Sequence, residues 1–103
     1  MASPIAVHLA EAAWNDLEDL VNFLLTQGDA TAPALIDFLF DGLRVLTHQP
    51  GIGRPADQGL RELVLHRGKS GYIVKYRYLP ERAAVRVLRI RHQRQTGYTE
   101  REI

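Results

Sequence analysis

Residues 60–91 read LRELVLHRGKSGYIVKYRYLPERAAVRVLRIR, and this stretch decides the fold. It holds three runs that are typical of β-strands: Leu60–His66, Gly71–Leu79 and Ala83–Arg91. In the second run, tyrosines and valine recur at every other position, which places them on one face of a strand. The breaks between the runs have only four and three residues, and breaks that short join neighbouring strands as hairpins. The stretch therefore predicts a three-stranded antiparallel meander.

The residues before this stretch predict a first strand and a pair of helices. PIAVHLA, residues 4–10, alternates apolar residues with small or polar ones over the length of a strand. Apolar residues then recur at helical spacing over residues 10–27, with Trp14 expected in the core, and again over residues 31–47. Because few residues separate the two helices, we expect an antiparallel helical hairpin. We predict one α+β domain over residues 1–103, with both helices packed on one face of an antiparallel sheet.

Charge is distributed unevenly along the chain although the net charge is only +1. No lysine or arginine occurs before Leu43, whereas all 13 follow it, together with only five of the 12 acidic residues. Such asymmetry favours a basic surface with an anionic partner, although solvated faces alone also produce it. The chain has no cysteine, no secretory leader and no apolar run long enough to span a membrane, so we expect a cytoplasmic protein.

The stretch RVLRIRHQRQTGY, residues 86–98, holds the strongest candidates for chemistry. Arginine guanidinium groups match phosphate oxygens, and histidine or tyrosine can move protons near neutral pH. Cleavage of RNA needs a base, an acid and charge stabilisation, which His92, Arg91, Arg94 and Tyr98 could supply without a metal. The alternative is a solvated strand end on which an acidic peptide lies.

Other basic residues extend this candidate surface. Those that could contact a target or a partner are Arg61, Arg67, Lys69, Lys75, Arg77 and Arg89. The glycine- and proline-rich stretch at residues 49–59 predicts a loop, but it lacks the pattern of a phosphate-binding loop. We find no paired carboxylates and no metal-ligand spacing, so the sequence predicts neither a metal nor a cofactor.

The ordered motifs of the chain resemble one family, the RelE/ParE toxins of bacterial type II toxin–antitoxin systems. In order, they are AEAAWNDLEDLVNFL, LTHQPGIGRP, LRELVLHRGKSGYIVKYRY and VRVLRIRHQRQTGY. The resemblance covers about residues 5–98. It implies the fold predicted above, and it implies a cognate antitoxin whose C-terminal segment wraps the toxin.

The family has two branches that differ in target. RelE-like toxins cut messenger RNA on the ribosome with basic residues of the central strands and a C-terminal arginine and tyrosine. Tyr98 matches that tyrosine, His92 stands where an arginine would, and Ile73 stands where the family has a catalytic arginine. Because isoleucine cannot stabilise a phosphorane, the resemblance favours the ParE branch, which is associated with poisoning of DNA gyrase.

Three functions follow as hypotheses. The first is a ParE-like toxin that acts on DNA gyrase, and the second is a ribosome-dependent messenger RNA endonuclease. The third is a non-toxic remnant that only binds its antitoxin. For each we expect an acidic, amphipathic antitoxin segment that crosses the basic sheet face and buries apolar groups between it and the helices. Without the antitoxin, this surface is expected to allow self-association.

Overall fold

The computed structural model of the chain describes residues 4–94. The elements are β1 Ala6–Leu9, α1 Glu11–Thr26, α2 Ala34–Leu43, β2 Arg54–Pro55, β3 Arg61–Arg67, β4 Ser70–Leu79 and β5 Ala84–His92. Short 3₁₀ turns lie at Arg44–Thr47, Asp57–Gly59 and Pro80–Arg82. The strands form one sheet in the order β1-β5-β4-β3-β2. The predicted α+β class is confirmed.

The meander of β3, β4 and β5 is antiparallel, as predicted, with Val74 opposite both Leu63 and Ile90. Two features of the sheet differ from the prediction. Strand β1 runs parallel to β5, its neighbour in the sheet, since both helices and the other strands separate the two in the chain and no hairpin joins them. The predicted loop contains β2, whose two residues pair antiparallel with β3.

Helix α1 begins after Ala10, whose side chain makes no capping hydrogen bond, and it ends before Gly28, which has a φ of 72°. Helix α2 begins later than predicted, because residues 29–33 form turns. There the Asp29 carboxylate accepts hydrogen bonds from the backbone N–H and the hydroxyl of Thr31, at 2.7 and 2.6 Å. Within residues 4–94, neither helix is long and apolar enough to cross a membrane.

The core lies between the helices and one face of the sheet. Its largest fully buried side chains are Tyr76, Leu35, Leu39, Leu46, Val74, Val85 and Val87. The prediction that Trp14 belongs to the core is wrong, since this side chain is 50% exposed. Helix α1 buries Ala13 and Leu17, so the neighbouring Trp14 lies on its flank, where its ring packs edge-on against Phe40.

Candidate functional site

The fully buried residues of helix α1 all lie in its first half, and an open groove lies beside its second half. The buried residues of the helix are Ala13, Asp16 and Leu17, whereas Phe23 is 61% exposed. The groove, called the α1 groove below, encloses about 610 Å³. Its lining consists of Asp16, Asp19, Leu20, Phe23, Leu24, Ser70, Tyr72, Ile90, His92 and Arg94. Most of this lining is apolar. The Asp16 carboxylate lies in the groove beside Ile90, and the basic residues His92 and Arg94 lie where β5 ends.

A buried ion pair fixes α1 to the sheet at this groove. Strand β1 pairs with β5 only as far as Val87, and beyond that point the Asp16 carboxylate meets β5. It accepts hydrogen bonds from the Ile90 N–H at 2.9 Å and from Arg89 Nε and Nη2 at 2.8 and 3.0 Å. The side chains of Asp16 and Arg89 are only 5% and 19% exposed. The guanidinium predicted to bind a partner is thus held within the fold.

His92 lies in the α1 groove in a defined orientation. Its ring stands edge-on against Tyr72, with 5.2 Å between centroids, and its Nδ1 accepts the backbone N–H of Arg94 at 3.0 Å. The proton of the neutral ring therefore belongs on Nε2. Burial holds the pKa of His92 below its ordinary value of 6.5, and the charge of Arg94 lowers it further. Across residues 4–94, no group of three or more histidines and carboxylates could hold a metal ion.

The structure divides the predicted catalytic residues between two faces of the sheet. His92 stands opposite Tyr72 on the helix-facing side, together with Arg94. Arg91 stands opposite Ile73, and since directly opposed residues share a face, both point to the other side, called the outer face below. Ile73 is buried there. Tyr98, the fourth predicted catalytic residue, lies outside the described residues.

The hairpin between β3 and β4 is tied to the helical hairpin. Arg67 Nη2 donates to the backbone carbonyl of Thr31 at 3.1 Å. Burial raises the pKa of Tyr72, and the nearby Arg67 opposes that rise. The hydrogen bonds from Thr31 lower the pKa of Asp29. Arg67 thus holds the end of the α1 groove in place, whereas Lys69 is exposed in the turn.

Another predicted binding residue, Arg61, supports the loop at residues 49–54. Its guanidinium donates to the Gly53 carbonyl at 2.8 Å. From the core, the Tyr76 hydroxyl donates to the Pro50 carbonyl at 2.7 Å and accepts the Gly53 N–H at 2.9 Å. A methyl group at Gly53 would come within 2.7 Å of that hydroxyl, so the loop packs closely on Tyr76. The loop at residues 49–54 therefore covers the end of β4 at which Tyr76 lies.

The outer face carries the remaining predicted basic residues. Lys75 stands opposite Glu62 of β3, and Arg77 stands opposite Arg86 of β5. Directly opposed like charges destabilise a sheet unless an anion compensates them. This face is therefore basic, but it is separate from the α1 groove that holds His92.

The sequence analysis missed the residues that shape the groove. Asp16 occupies a helical position flanked by the buried Ala13 and Leu17, so an acid within an apolar stripe was the available signal for a buried partner. Leu20 and Leu24 pack against the core as partly buried residues, as the apolar stripe of α1 predicts, and they also line the groove with Phe23. Periodicity alone could not reveal that their burial is incomplete.

Comparisons with known proteins place the chain in a family. The profile described as the ParE toxin of the type II toxin–antitoxin system parDE matches residues 7–97. Toxin RelE3 of Caulobacter vibrioides is 34% identical over 87 residues, which cover 84% of this chain and 92% of that protein.

Two solved structures share the fold at lower identity. A chain of the chromosomal ParDE system of P. aeruginosa has a TM-score of 0.70 at 20% identity, covering 86% of this chain and 96% of its own. A chain of the toxin–antitoxin complex RelBE2 of Mycobacterium tuberculosis has a TM-score of 0.59 at 23% identity, covering 92% and 98%. Both show that the overall fold of this chain occurs in solved toxin–antitoxin proteins.

Proposed function

The chain belongs to the ParE family of toxins of type II toxin–antitoxin systems, and from this premise we propose that it blocks growth by acting on DNA gyrase. A cognate antitoxin neutralises it in the cytoplasm. The toxin acts by binding and needs no metal or cofactor of its own. The match to the ParE model supports the choice of gyrase as the target.

One observation favours gyrase over messenger RNA: two of the candidate catalytic residues, Arg91 and His92, lie on opposite faces of the sheet. An RNA-cleaving site must bring a base, an acid and charge stabilisation around one phosphate. Here His92 faces the α1 groove, whereas Arg91 lies on the outer face beside the buried Ile73. This separation by face does not favour a single phosphate between them, which supports a toxin that binds its target rather than cuts RNA.

The α1 groove has the properties expected of the antitoxin site. Leu20, Phe23 and Leu24 offer partly exposed apolar groups along one helix, as an amphipathic partner segment requires. At the end of β5, Arg94 supplies a cation for an acidic side chain of that segment. The groove therefore accepts apolar anchors along its length and a carboxylate at its basic end.

Supercoiling by purified gyrase tests the proposed target. We expect the wild-type chain and the His92→Ala variant to inhibit supercoiling equally and to accumulate cleaved DNA, because His92 takes no part in chemistry. Messenger RNA in a translating extract, followed by primer extension, should stay intact. Unaffected gyrase together with codon-positioned RNA ends that disappear in His92→Ala would establish the endonuclease instead.

Growth of bacteria that express the chain without an antitoxin shows whether the chain is toxic or is a non-toxic remnant that only binds its antitoxin. We expect arrested growth that co-expression of the cognate antitoxin restores. Normal growth at a verified level of folded protein would identify a remnant that only binds its antitoxin.

A further inference from the structure

The two edges of the sheet are protected to different degrees. At one edge, β2 consists of Arg54 and Pro55, so it is short, charged and lacks one N–H. At the other edge, β1 has the sequence AVHL, with no lysine, arginine, acid or proline. Natural proteins protect the edges of their sheets because an open edge pairs with another strand. The unprotected β1 edge therefore indicates a pairing surface.

The hydrogen bonds of β1 show which backbone groups face this open edge. The N–H groups of Ala6 and Ala10 donate to carbonyls of the β5 side, Ala83 at 3.0 Å and Val87 at 2.8 Å. Because backbone groups alternate in direction along a strand, Val7 and Leu9 direct their N–H and C=O groups away from β5. The Ile5 N–H, which points the same way, donates to the Thr47 carbonyl at 2.9 Å, so within residues 4–94 the edge is open only from Val7 onward.

An apolar groove of about 440 Å³ adjoins this edge and is lined in part by Val7, Leu9, Trp14, Phe40, Leu43 and Arg44. The half-exposed Trp14 and Phe40 form an edge-on pair with centroids 5.7 Å apart. A tryptophan exposed beside an open strand edge is the kind of side chain that dominates binding energy at protein interfaces.

We propose that a second copy of this chain occupies the β1 edge, with the two β1 strands paired antiparallel about a two-fold axis at His8. In this register, Val7 of one copy faces Leu9 of the other, and their N–H and C=O groups form four hydrogen bonds. The pairing uses only the N–H and C=O groups of Val7 and Leu9, which point away from β5 and do not bond to Thr47. The two sheets become one ten-stranded sheet, and Trp14 of each copy covers the β1 of the other.

Charge complementarity favours a second copy over an acidic antitoxin segment. Glu11 follows the end of β1, and Arg44 lines the groove near the 3₁₀ turn that caps the start of β1. An antiparallel pair brings the end of one β1 to the start of the other, so Glu11 of each copy approaches Arg44 of its mate. An acidic segment would instead meet Glu11, which is exposed beside the same edge. The surface is distinct from the α1 groove and does not depend on the gyrase target.

A cysteine cross-link tests this register directly, because the chain has no cysteine of its own. Two His8 positions opposed across the axis have Cα atoms about 4.5 Å apart, within the range of a disulfide. The purified His8→Cys variant should therefore become a covalent dimer under mild oxidation. Arg86→Cys is the matched control, since Arg86 is exposed and pairs with His8 one strand inward. It should stay monomeric.

Sedimentation of the unmodified chain completes the test. We expect a concentration-dependent dimer in the micromolar range, as befits a small interface, and a dissociation constant raised about tenfold or more in Trp14→Ser. Circular dichroism must show that this variant is folded. The proposal is overturned if the wild-type chain sediments as a monomer, or if His8→Cys cross-links no faster than Arg86→Cys. It is also overturned if a folded Trp14→Ser dimerises normally, or if the His8 position cross-links only to a co-purified antitoxin.

Discussion

The two ends of β4 differ in how they are covered. A loop packs over the end that holds Tyr76, which is called the closed end below, whereas a groove lies over the end that holds Tyr72, called the open end. At one end, the Tyr76 hydroxyl satisfies the Pro50 carbonyl and the Gly53 N–H, and the loop packs tightly over the strand. At the other end, Tyr72 lies at the bottom of the α1 groove, beside the exposed Phe23. The closed end has its polar groups paired within the chain, whereas the open end leaves apolar surface for another molecule. The first end therefore stabilises the fold, and the second is the site at which we propose that the antitoxin binds.

Breaking the ion pair between Asp16 and Arg89, at the open end, is expected to have the largest effect on the free energy of unfolding. Asp16→Ala leaves Arg89 buried without its carboxylate, which costs about 3–5 kcal/mol of unfolding free energy. Urea denaturation measures the change. The control is Asp41→Ala, whose ion pair with Arg44 is largely exposed and should contribute less than about 1 kcal/mol. Equal losses in the two variants would contradict the role given to Asp16.

At the closed end, Tyr76→Phe tests the support of the loop. The variant leaves a buried carbonyl and N–H without the hydroxyl, so we expect a loss of about 1–3 kcal/mol in unfolding free energy. Affinity for the antitoxin should not change. Tyr78→Phe, on the same face of β4, provides the comparison and should be nearly neutral. A Tyr76→Phe protein as stable as the wild type would show that the hydroxyl does not hold the loop.

Phe23→Ser tests whether the open end binds the antitoxin without contributing to stability, because Phe23 is mostly exposed and contributes little to the core. We expect nearly unchanged stability but about tenfold weaker binding of the cognate antitoxin, measured by calorimetry. Leu25→Ser is the matched control, since Leu25 is 52% exposed on the same helix but does not line the groove. Equal weakening by both substitutions would mean that the groove is not the binding site.

The smallest expected effect is the pH dependence that His92 contributes. Its pKa is lowered in the folded chain, by burial and then by Arg94, so the unfolded chain takes up its proton first as the pH falls. Stability should therefore be fully present above about pH 6.5 and decline as the pH falls toward the lowered pKa. His92→Gln should reduce this slope in urea titrations at several pH values. A wild-type slope of the opposite sign would rule out the assigned environment of His92.

The sequence predicted the strands well and the site poorly, for physical reasons. Residues 60–91 alternate in polarity and have short breaks, so their hairpins depend on local signals that a sequence displays. Trp14 and Phe23 share the apolar character of buried helical residues, but their exposure depends on how α1 is rotated and packed against the sheet. Likewise, Tyr72 and Tyr76 look equivalent in a strand pattern, and only the long-range contact of Tyr76 with Pro50 distinguishes them. Such contacts join residues far apart in the chain, which no local pattern records.

Hydrogen exchange of the free and the antitoxin-bound chain tests the difference between the two ends most directly. We expect added protection at residues 20–26 of α1 and at residues 90–94, which are the end of β5 and the two residues after it, with no change at residues 49–54. That result would assign antitoxin binding to the open end of β4. Protection gained in the loop at residues 49–54, with none along the α1 groove, would contradict the account.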